Sequence, residues 1–266
     1  MAIMQEPITQ EMKAAHFRAL HQSGCFIMPN PWDAGSARLL EGMGFKALAT
    51  SSGAAAGVLG RKDGEISRKE SLANARSIII ATDLPVAADL EKGFGDAPAD
   101  AALTIRMAAE VGLVGGSIED STGNKDQPIF AFNHAVDRVA AAAEAVRALP
   151  FPFTFTARCE NFLRGNPDID DTIRRLQAYE KAGADVLFAP ALPDLSSVRL
   201  VCTSVSKPFN FMVAIKGKAF SVAELEAAGV RRISLATSLY RAALAGLRNA
   251  AEEVKTDGTF SYLERI

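Results

Sequence analysis

The chain has 266 residues, a formal net charge of −2, 48 % hydrophobic residues and 23 % charged residues. That length suits one large domain or two small ones, and the near-neutral balance leaves no basic excess for nucleic acid and no acidic tail. Three scattered cysteines, Cys25, Cys159 and Cys202, without a C-x-x-C pair argue against a disulfide framework or zinc site and make a reducing cytoplasm the expected location.

Charged residues interrupt every long apolar stretch and no apolar signal core opens the chain, so neither a membrane span nor a targeting segment is expected. Thr9 to Gln22 reads as an amphipathic helix, with Met12, Ala15, Phe17 and Leu20 as candidate buried positions. An apolar strand, Cys25 to Met28, is stopped by Pro29-Asn30-Pro31, and Asp33 to Met43 is a helix ended by Gly44. Ala47 to Thr50 is a second strand that runs into Ser51-Ser52-Gly53-Ala54 and a polar loop reaching Asp63-Gly64. A helix over 68–81 follows, then a strand over 86–90 and a helix over 99–111.

The alternation continues. Strands are expected at 116–120, 153–158, 185–189, 209–213 and 232–236, and helices at 135–148, 170–182, 195–204, 222–228 and 238–254. Strand–helix alternation implies parallel strands with right-handed crossovers. Eight such units in one chain fit an α/β fold, a (β/α)8 TIM barrel, whose usual size is about 250 residues. A doubly wound open sheet is the alternative, but no G-x-G-x-x-G follows the first strand. No linker or low-complexity tract divides residues 1–266, so a single barrel domain is expected.

The most informative stretch is Val86 to Gly95. Asp89 and Glu91 stand at alternate positions at the end of an apolar strand, and so on one face of it. Two such acids repel each other and are costly to desolvate unless a cation neutralises them. All-oxygen ligation favours Mg2+ or Mn2+ over zinc. Simple solvation of both acids is the plainer alternative.

In barrels of this kind the reacting groups sit at the C-terminal ends of the strands. Those ends offer Asn30, Trp32 and Asp33; Ser51, Ser52 and Gly53; Asp89 and Glu91; Glu119 and Asp120; Arg158, Glu160 and Asn161; and Asn210 and Met212. Acids on adjacent strand ends suggest one metal held by Asp89, Glu91 and Glu119, with some contacts through water. Arg158 suits a carboxylate or phosphonate, because guanidinium binds both through a fork; a salt bridge to one of the acids is its other reading. The Ser51–Ala54 segment could offer hydroxyls and N–H groups to an anion, or be an ordinary turn.

These residues carry a resemblance to a known family. Asn30-Pro31-Trp32-Asp33, Thr50-Ser51-Ser52-Gly53, Asp63-Gly64, the Ala88–Gly95 segment, Ser117-Ile118-Glu119-Asp120 and Thr156-Ala157-Arg158 resemble the isocitrate lyase/phosphoenolpyruvate mutase superfamily in order and in position. The resemblance implies a TIM barrel, often with the last helix exchanged between subunits, and a homo-oligomer, dimer or tetramer. It implies Mg2+ near Asp89, Glu91 and Glu119, and a small-molecule 2-oxo acid that chelates it. Ser51, Ser52, Gly53, Ala54 and Arg158 match positions that hold the acid group, with Trp32 and Asn210 as further substrate contacts. Asp63, Glu119 and Arg158 are the implied catalytic residues; a turn aspartate is the alternative for Asp63.

The chain also departs from the family pattern. The loop after strand four reads Ser121-Thr122-Gly123-Asn124-Lys125-Asp126-Gln127-Pro128, without the Lys-Lys-Cys-Gly-His of the isocitrate and methylisocitrate lyases or the Lys-Thr-Asn-Ser type of the mutases. It resembles the phosphonomutase-like branch, which includes 2-oxo acid lyases and oxaloacetate decarboxylases. Its length suits a lid, with Thr122, Gly123, Asn124 and Lys125 at the tip. Lys216 could reach a substrate carboxylate or be a solvated loop residue, and His134 reads as a helix start. The expected activity is a Mg2+-dependent lyase that cleaves or decarboxylates a small 2-oxo or oxalo acid through a metal-stabilised enolate. A phosphonate P–C mutase or hydrolase and a non-catalytic 2-oxo acid binding barrel remain the alternatives.

Overall fold

The computed structural model describes residues 8–217 and 220–265. Lys218, the second lysine of the loop after the seventh strand, lies outside them. Eight parallel strands are present: β1 (Phe26–Met28), β2 (Leu48–Ala49), β3 (Val86–Asp89), β4 (Gly115–Glu119), β5 (Thr154–Arg158), β6 (Val186–Phe188), β7 (Phe209–Met212) and β8 (Arg232–Ser234). They pair in the order β1-β8-β7-β6-β5-β4-β3-β2, the (β/α)8 barrel expected from the alternation. The seam between β1 and β2 is joined just beyond β1, where Ala49 N–H donates to the Pro29 carbonyl at 3.1 Å. Asn30 spans the same seam: its Nδ2 donates to Thr50 O (2.9 Å) and its Oδ1 accepts from Leu235 N–H (2.9 Å). Asn30 is therefore a barrel clamp.

Ten α-helices fill the connections among the described residues: α1 (Gln10–Ala19), α2 (Ala34–Gly42), α3 (Ser52–Val58), α4 (Arg68–Ile79), α5 (Pro98–Glu110), α6 (Phe132–Arg147), α7 (Ile169–Ala182), α8 (Leu195–Ser204), α9 (Val222–Ala227) and α10 (Ser238–Thr256). Side-chain oxygens of Asp33, Ser67, Asp168, Asp194 and Ser221 accept from the first-turn N–H groups of the helices they precede, the usual device for starting a helix after a strand. None of these helices is long and apolar enough to cross a membrane. Alanines line the packed faces of α5 and α6 (Ala101, Ala108, Ala135, Ala142), so these helices sit close together.

Three expectations are corrected. In α1 the inward face is Ala14 and Phe17, while Met12 is 58 % exposed and Ala15 is exposed too. The inner stripe is set by the plug that α1 makes in the N-terminal end of the barrel. Phe17 packs there with Met28, Ala49, Ala87 and Val114, and a Cβ at Gly115 would meet its ring at 2.8 Å. Second, Ser51–Ala54 is not a loop. Ser51 caps α3, whose three consecutive alanines favour helix. Third, the helix over 135–148 starts earlier, at Phe132, so His134 lies inside it.

The strand register positions the site. In a parallel sheet, residues paired in register face the same side. Glu119, Arg158, Phe188, Asn210 and Arg232 form one continuous register row across β4 to β8. Asp89, Ser117 and Thr156 form a second row across β3 to β5. Both rows line the interior. The last helix, α10, is held at its first turn, where Tyr240 packs edge-on to Trp32 at 5.5 Å and against the backbone of Gly57. Beyond that turn, residues 241–249 are all exposed.

Candidate active site

A cavity of about 270 Å³ opens at the C-terminal end of the barrel. Of the residues expected from sequence, Asn30, Ser51, Ser52, Asp63, Asp89, Arg158, Asn210 and Met212 line it. Thr50, Ser117, Thr156, Arg164, Phe188, Arg232, Ser234, Thr237 and Arg241 line it as well.

Arg158 is its centre. It leaves the end of β5 and meets three carboxylates: Asp89 Oδ1 at 3.2 Å from Nη1, Glu160 Oε1 at 2.9 Å from Nε, and Glu119 Oε2 in close contact with Nη2. Burial opposes its charge, but Glu160, Asp89, Asp63 and Glu91 outweigh that and hold its pKa above the ordinary arginine value. Arg164 shares two of these acids, with Nε 2.9 Å from Glu160 Oε2 and Nη2 3.3 Å from Glu119 Oε1. Two arginines and two glutamates thus alternate around a ring. Glu160 is wholly buried and is anchored through its N–H, which donates to Asp120 Oδ1 at 2.8 Å. Asp120 in turn accepts from Tyr179 OH at 2.6 Å, so it is a support beneath the site.

Asp89 is tied on both oxygens. Oδ2 accepts from the Ser52 hydroxyl (2.9 Å) and N–H (3.3 Å); Oδ1 accepts from Glu91 N–H (3.2 Å) as well as from Arg158. Ser52 is therefore engaged with Asp89, and Ser51 with its own helix. Glu91 adopts a left-handed backbone, φ 50°, a conformation that non-glycine residues rarely take. Its carboxyl is pushed up to about 7 by burial and by the nearby charges of Asp89 and Asp63. Its Oε1 is buried and has no hydrogen-bond partner.

These observations bear on a metal. Asp89 and Glu91 fit a hard cation: they offer oxygens only, they repel each other, and one buried oxygen is unsatisfied. Glu119 turns both oxygens to arginines and would meet such an ion only through water. No three acidic, histidine or cysteine side chains among the described residues are grouped closely enough to hold an ion directly.

Other expected residues sit elsewhere. Trp32 packs on Tyr240 and does not line the cavity. Gly53 lies under it: a Cβ there would meet Thr237 Cγ2 at 2.9 Å and Asp63 Cγ at 3.4 Å. Ala54 is buried behind it. The loop with Thr122, Gly123, Asn124 and Lys125 turns its tip to solvent. Its base is fastened by Lys92, whose Nζ donates to Thr122 O at 2.6 Å, and by a Ser121–Ile129 bridge. Lys216 is exposed and off the cavity. His134 Nε2 lies 2.8 Å from the Asp96 carbonyl, far from an acid–base role. The residues not anticipated, Arg164 and Arg232 above all, have signals only in hindsight. Arg164 stands four residues after Glu160, and Arg232 is a charge opening an apolar strand.

The sequence profile of the phosphoenolpyruvate phosphomutase family matches residues 17–255. A crystal structure from Burkholderia cenocepacia J2315, described only as a lyase or mutase, superposes with a TM-score of 0.94 at 52 % identity, over 96 % of this chain and 92 % of that one. The 2-methylisocitrate lyase of Escherichia coli K12 is 32 % identical over 232 residues, 84 % of this chain and 76 % of that protein. A phosphonopyruvate hydrolase solved with oxalate and Mg2+ gives a TM-score of 0.84 at 23 % identity over 92 % of this chain and 88 % of its own, which shows a shared fold.

Proposed function

Because the chain belongs to the isocitrate lyase/phosphoenolpyruvate mutase superfamily, we propose that it is a Mg2+-dependent lyase that cleaves or decarboxylates a small 2-oxo or oxalo acid. The observation that carries this reading is the crowding of Asp89, Glu91 and Asp63 around the end of β3, where Asp89 and Asp63 line the cavity and Glu91 lies just behind, raised to about 7 and with one oxygen unsatisfied. Asp89 and Glu91 would hold the ion, and Glu119 would face it through water. Bound there, Mg2+ supplies Lewis acidity to a substrate oxygen that gains charge.

The protein residues do the rest. Ser52 and Arg158 fix the orientation of Asp89. Arg158, locked by three acids, offers a guanidinium that needs no reorganisation when an acid group arrives. Asp63, exposed at the mouth beside Gly53, is placed to accept or return a proton at the solvent side of the substrate. The absence of a thiol from the loop at 121–128 argues against an isocitrate-type proton donor. The same reading includes a homo-oligomer in which α10, exposed from 241 to 249, packs on a neighbouring subunit.

The test is a Mg2+-dependence assay on oxaloacetate, methylisocitrate, 2-oxo-4-hydroxy acids and phosphonopyruvate, with pyruvate and phosphate followed separately. EDTA-sensitive pyruvate release without phosphate is expected. Phosphate release from phosphonopyruvate would replace the C–C reading with a P–C one.

A further inference from the structure

Arg232 enters the barrel interior at the start of β8 and is 3 % exposed. Its Nε donates to Asn210 Oδ1 at 2.8 Å, its Nη2 to Thr156 Oγ1 at 2.9 Å and its Nη1 to His21 Nε2 at 3.3 Å. His21 Nδ1 lies 2.9 Å from the Phe17 carbonyl, which can only accept. Nδ1 therefore carries the proton, and Nε2 offers its lone pair to Arg232. All three partners are neutral. Among the described residues no carboxylate pairs with Arg232, and burial alone draws its pKa down to about 9. Arg158, in the same register row, has three acids around it.

A buried cation with hydrogen bonds but no counter-charge is costly to desolvate. The barrel alone does not account for it. Its effect on its neighbours does. A guanidinium only donates, so Asn210 must turn Oδ1 towards it. Asn210 Nδ2 then faces Ser234 Oγ at 3.0 Å, which leaves a second N–H for the cavity. Thr156 Oγ1 accepts from Arg232 and keeps its own hydrogen to donate. Asn210, Thr156, Ser234 and Arg232 all line the cavity. The β7–β8 wall, with Thr156 of β5 beside it, thus presents donors with a positive charge behind them, across from the acids of β3 and β4.

We propose that Arg232 is a positioning residue that orients Asn210 and Thr156 and charges the β7–β8 wall, making it the receptor for a carboxylate at the far end of the substrate. The substrate class narrows accordingly to 2-oxo dicarboxylic acids. The inference rests on the 2-oxo acid reading above for its substrate, but its binding test needs no turnover.

Calorimetric titration with Mg2+ present would compare oxalate, too short to span the cavity, with succinate, which carries a second carboxylate further away. The proteins are wild type, Arg232→Met and Arg232→Lys. Losing the charge behind the wall and the fixed orientation of Asn210 and Thr156 should weaken succinate roughly 10- to 100-fold in Arg232→Met while oxalate stays within about twofold. Arg232→Lys keeps the charge but cannot hold Asn210 and Thr156 together, so it should fall between. In turnover the same variant should raise KM for a dicarboxylate and leave kcat nearly unchanged. Equal weakening of both ligands, or no weakening of succinate, overturns the proposal, because a merely structural arginine would not distinguish them. A wild type that binds oxalate but not succinate also overturns it. Binding of neither ligand overturns both the proposal and the 2-oxo acid reading, whereas succinate binding without turnover of the panel sinks only the proposed reaction. Unfolding curves of the variants establish that each is folded; Arg232→Met, which leaves the Asn210, Thr156 and His21 acceptors without their donor, is expected to be less stable than wild type but folded at the assay temperature.

Discussion

Replacing His21 with glutamine should remove an acid-sensitive step from the stability of this barrel. His21 follows α1, is 7 % exposed, and packs edge-on to the rings of Phe17 at 4.9 Å and Phe26 at 5.0 Å. Burial first, and the Arg232 charge second, depress its pKa from 6.5 to about 3. In the unfolded chain it regains its ordinary value. Above pH 6.5 both states are neutral and the residue adds no pH dependence. As pH falls below 6.5, the unfolded state takes up a proton that the native state refuses, so stability drops until native His21 titrates near pH 3. The loss is about 2 kcal/mol at pH 5 and about 3 kcal/mol at pH 4, out of a total near 5–15 kcal/mol. Glutamine can still donate to the Phe17 carbonyl and accept from Arg232, without titrating. Urea unfolding of both proteins at pH 7, 5 and 4 should therefore show similar midpoints at pH 7 and a widening advantage for His21→Gln in acid. Parallel pH profiles would refute the argument, since they would mean that His21 protonates in the native state as readily as in the unfolded one.

Asp89→Asn should leave the chain folded, cut Mg2+-dependent turnover about 100-fold or more, and weaken Mg2+ in calorimetry; wild-type activity in saturating Mg2+ would contradict the metal assignment. Arg158→Lys should raise KM at least tenfold, because an ammonium cannot meet Asp89, Glu119 and Glu160 and still hold a substrate acid by a fork; an unchanged KM in steady-state kinetics would count against its anion role. Gly53→Ala puts a methyl 2.9 Å from Thr237 Cγ2 and 3.4 Å from Asp63 Cγ, so it should cost about 1–3 kcal/mol by thermal unfolding and lower kcat through displacement of Asp63. Leu247→Glu, on the exposed length of α10 at 66 % exposure, should reduce the oligomer seen by light scattering without unfolding the barrel; an unchanged mass would remove α10 from the interface.

The alternation of strands and helices was legible because each unit announces itself locally, by an apolar run, a turn and a capping residue. Strand ends followed from it, and with them Asp89, Arg158 and Asn210 in the cavity. What escaped were relations between distant residues. Glu160, two residues beyond Arg158, could be read only as part of a strand end, yet its second oxygen and its anchor come from Arg164 and Asp120. Ser52 lines the cavity as expected of a substrate contact, but that its hydroxyl also donates to Asp89, 37 positions later, had no local signal. Trp32 sits beside the expected strand end, but the ring is drawn away by Tyr240 of the last helix. Glycine and serine after β2 suggested a loop, and the three alanines behind them decided for a helix.

The cavity is electrically lopsided, and the asymmetry constrains what it can bind. On the β3–β5 side, Arg158 and Arg164 are matched by Asp89, Glu119 and Glu160, and the carboxyl groups of Asp63 and of Glu91, the latter pushed up to about 7, remain unmatched. On the β7–β8 side, Arg232 has no acid partner and its neighbours are held as donors. A ligand with a single acid group would satisfy one side and leave the other unmet. A divalent cation on the acidic side together with a molecule carrying an oxygen-rich head and a carboxylate at its other end would satisfy both, the attraction between opposite charges offsetting part of their desolvation. A cation held by Asp89 and Glu91 and an acid-bearing ligand would by linkage strengthen each other's binding, so succinate affinity measured by calorimetry should rise with Mg2+ concentration, and affinity independent of Mg2+ would count against a cation on this side.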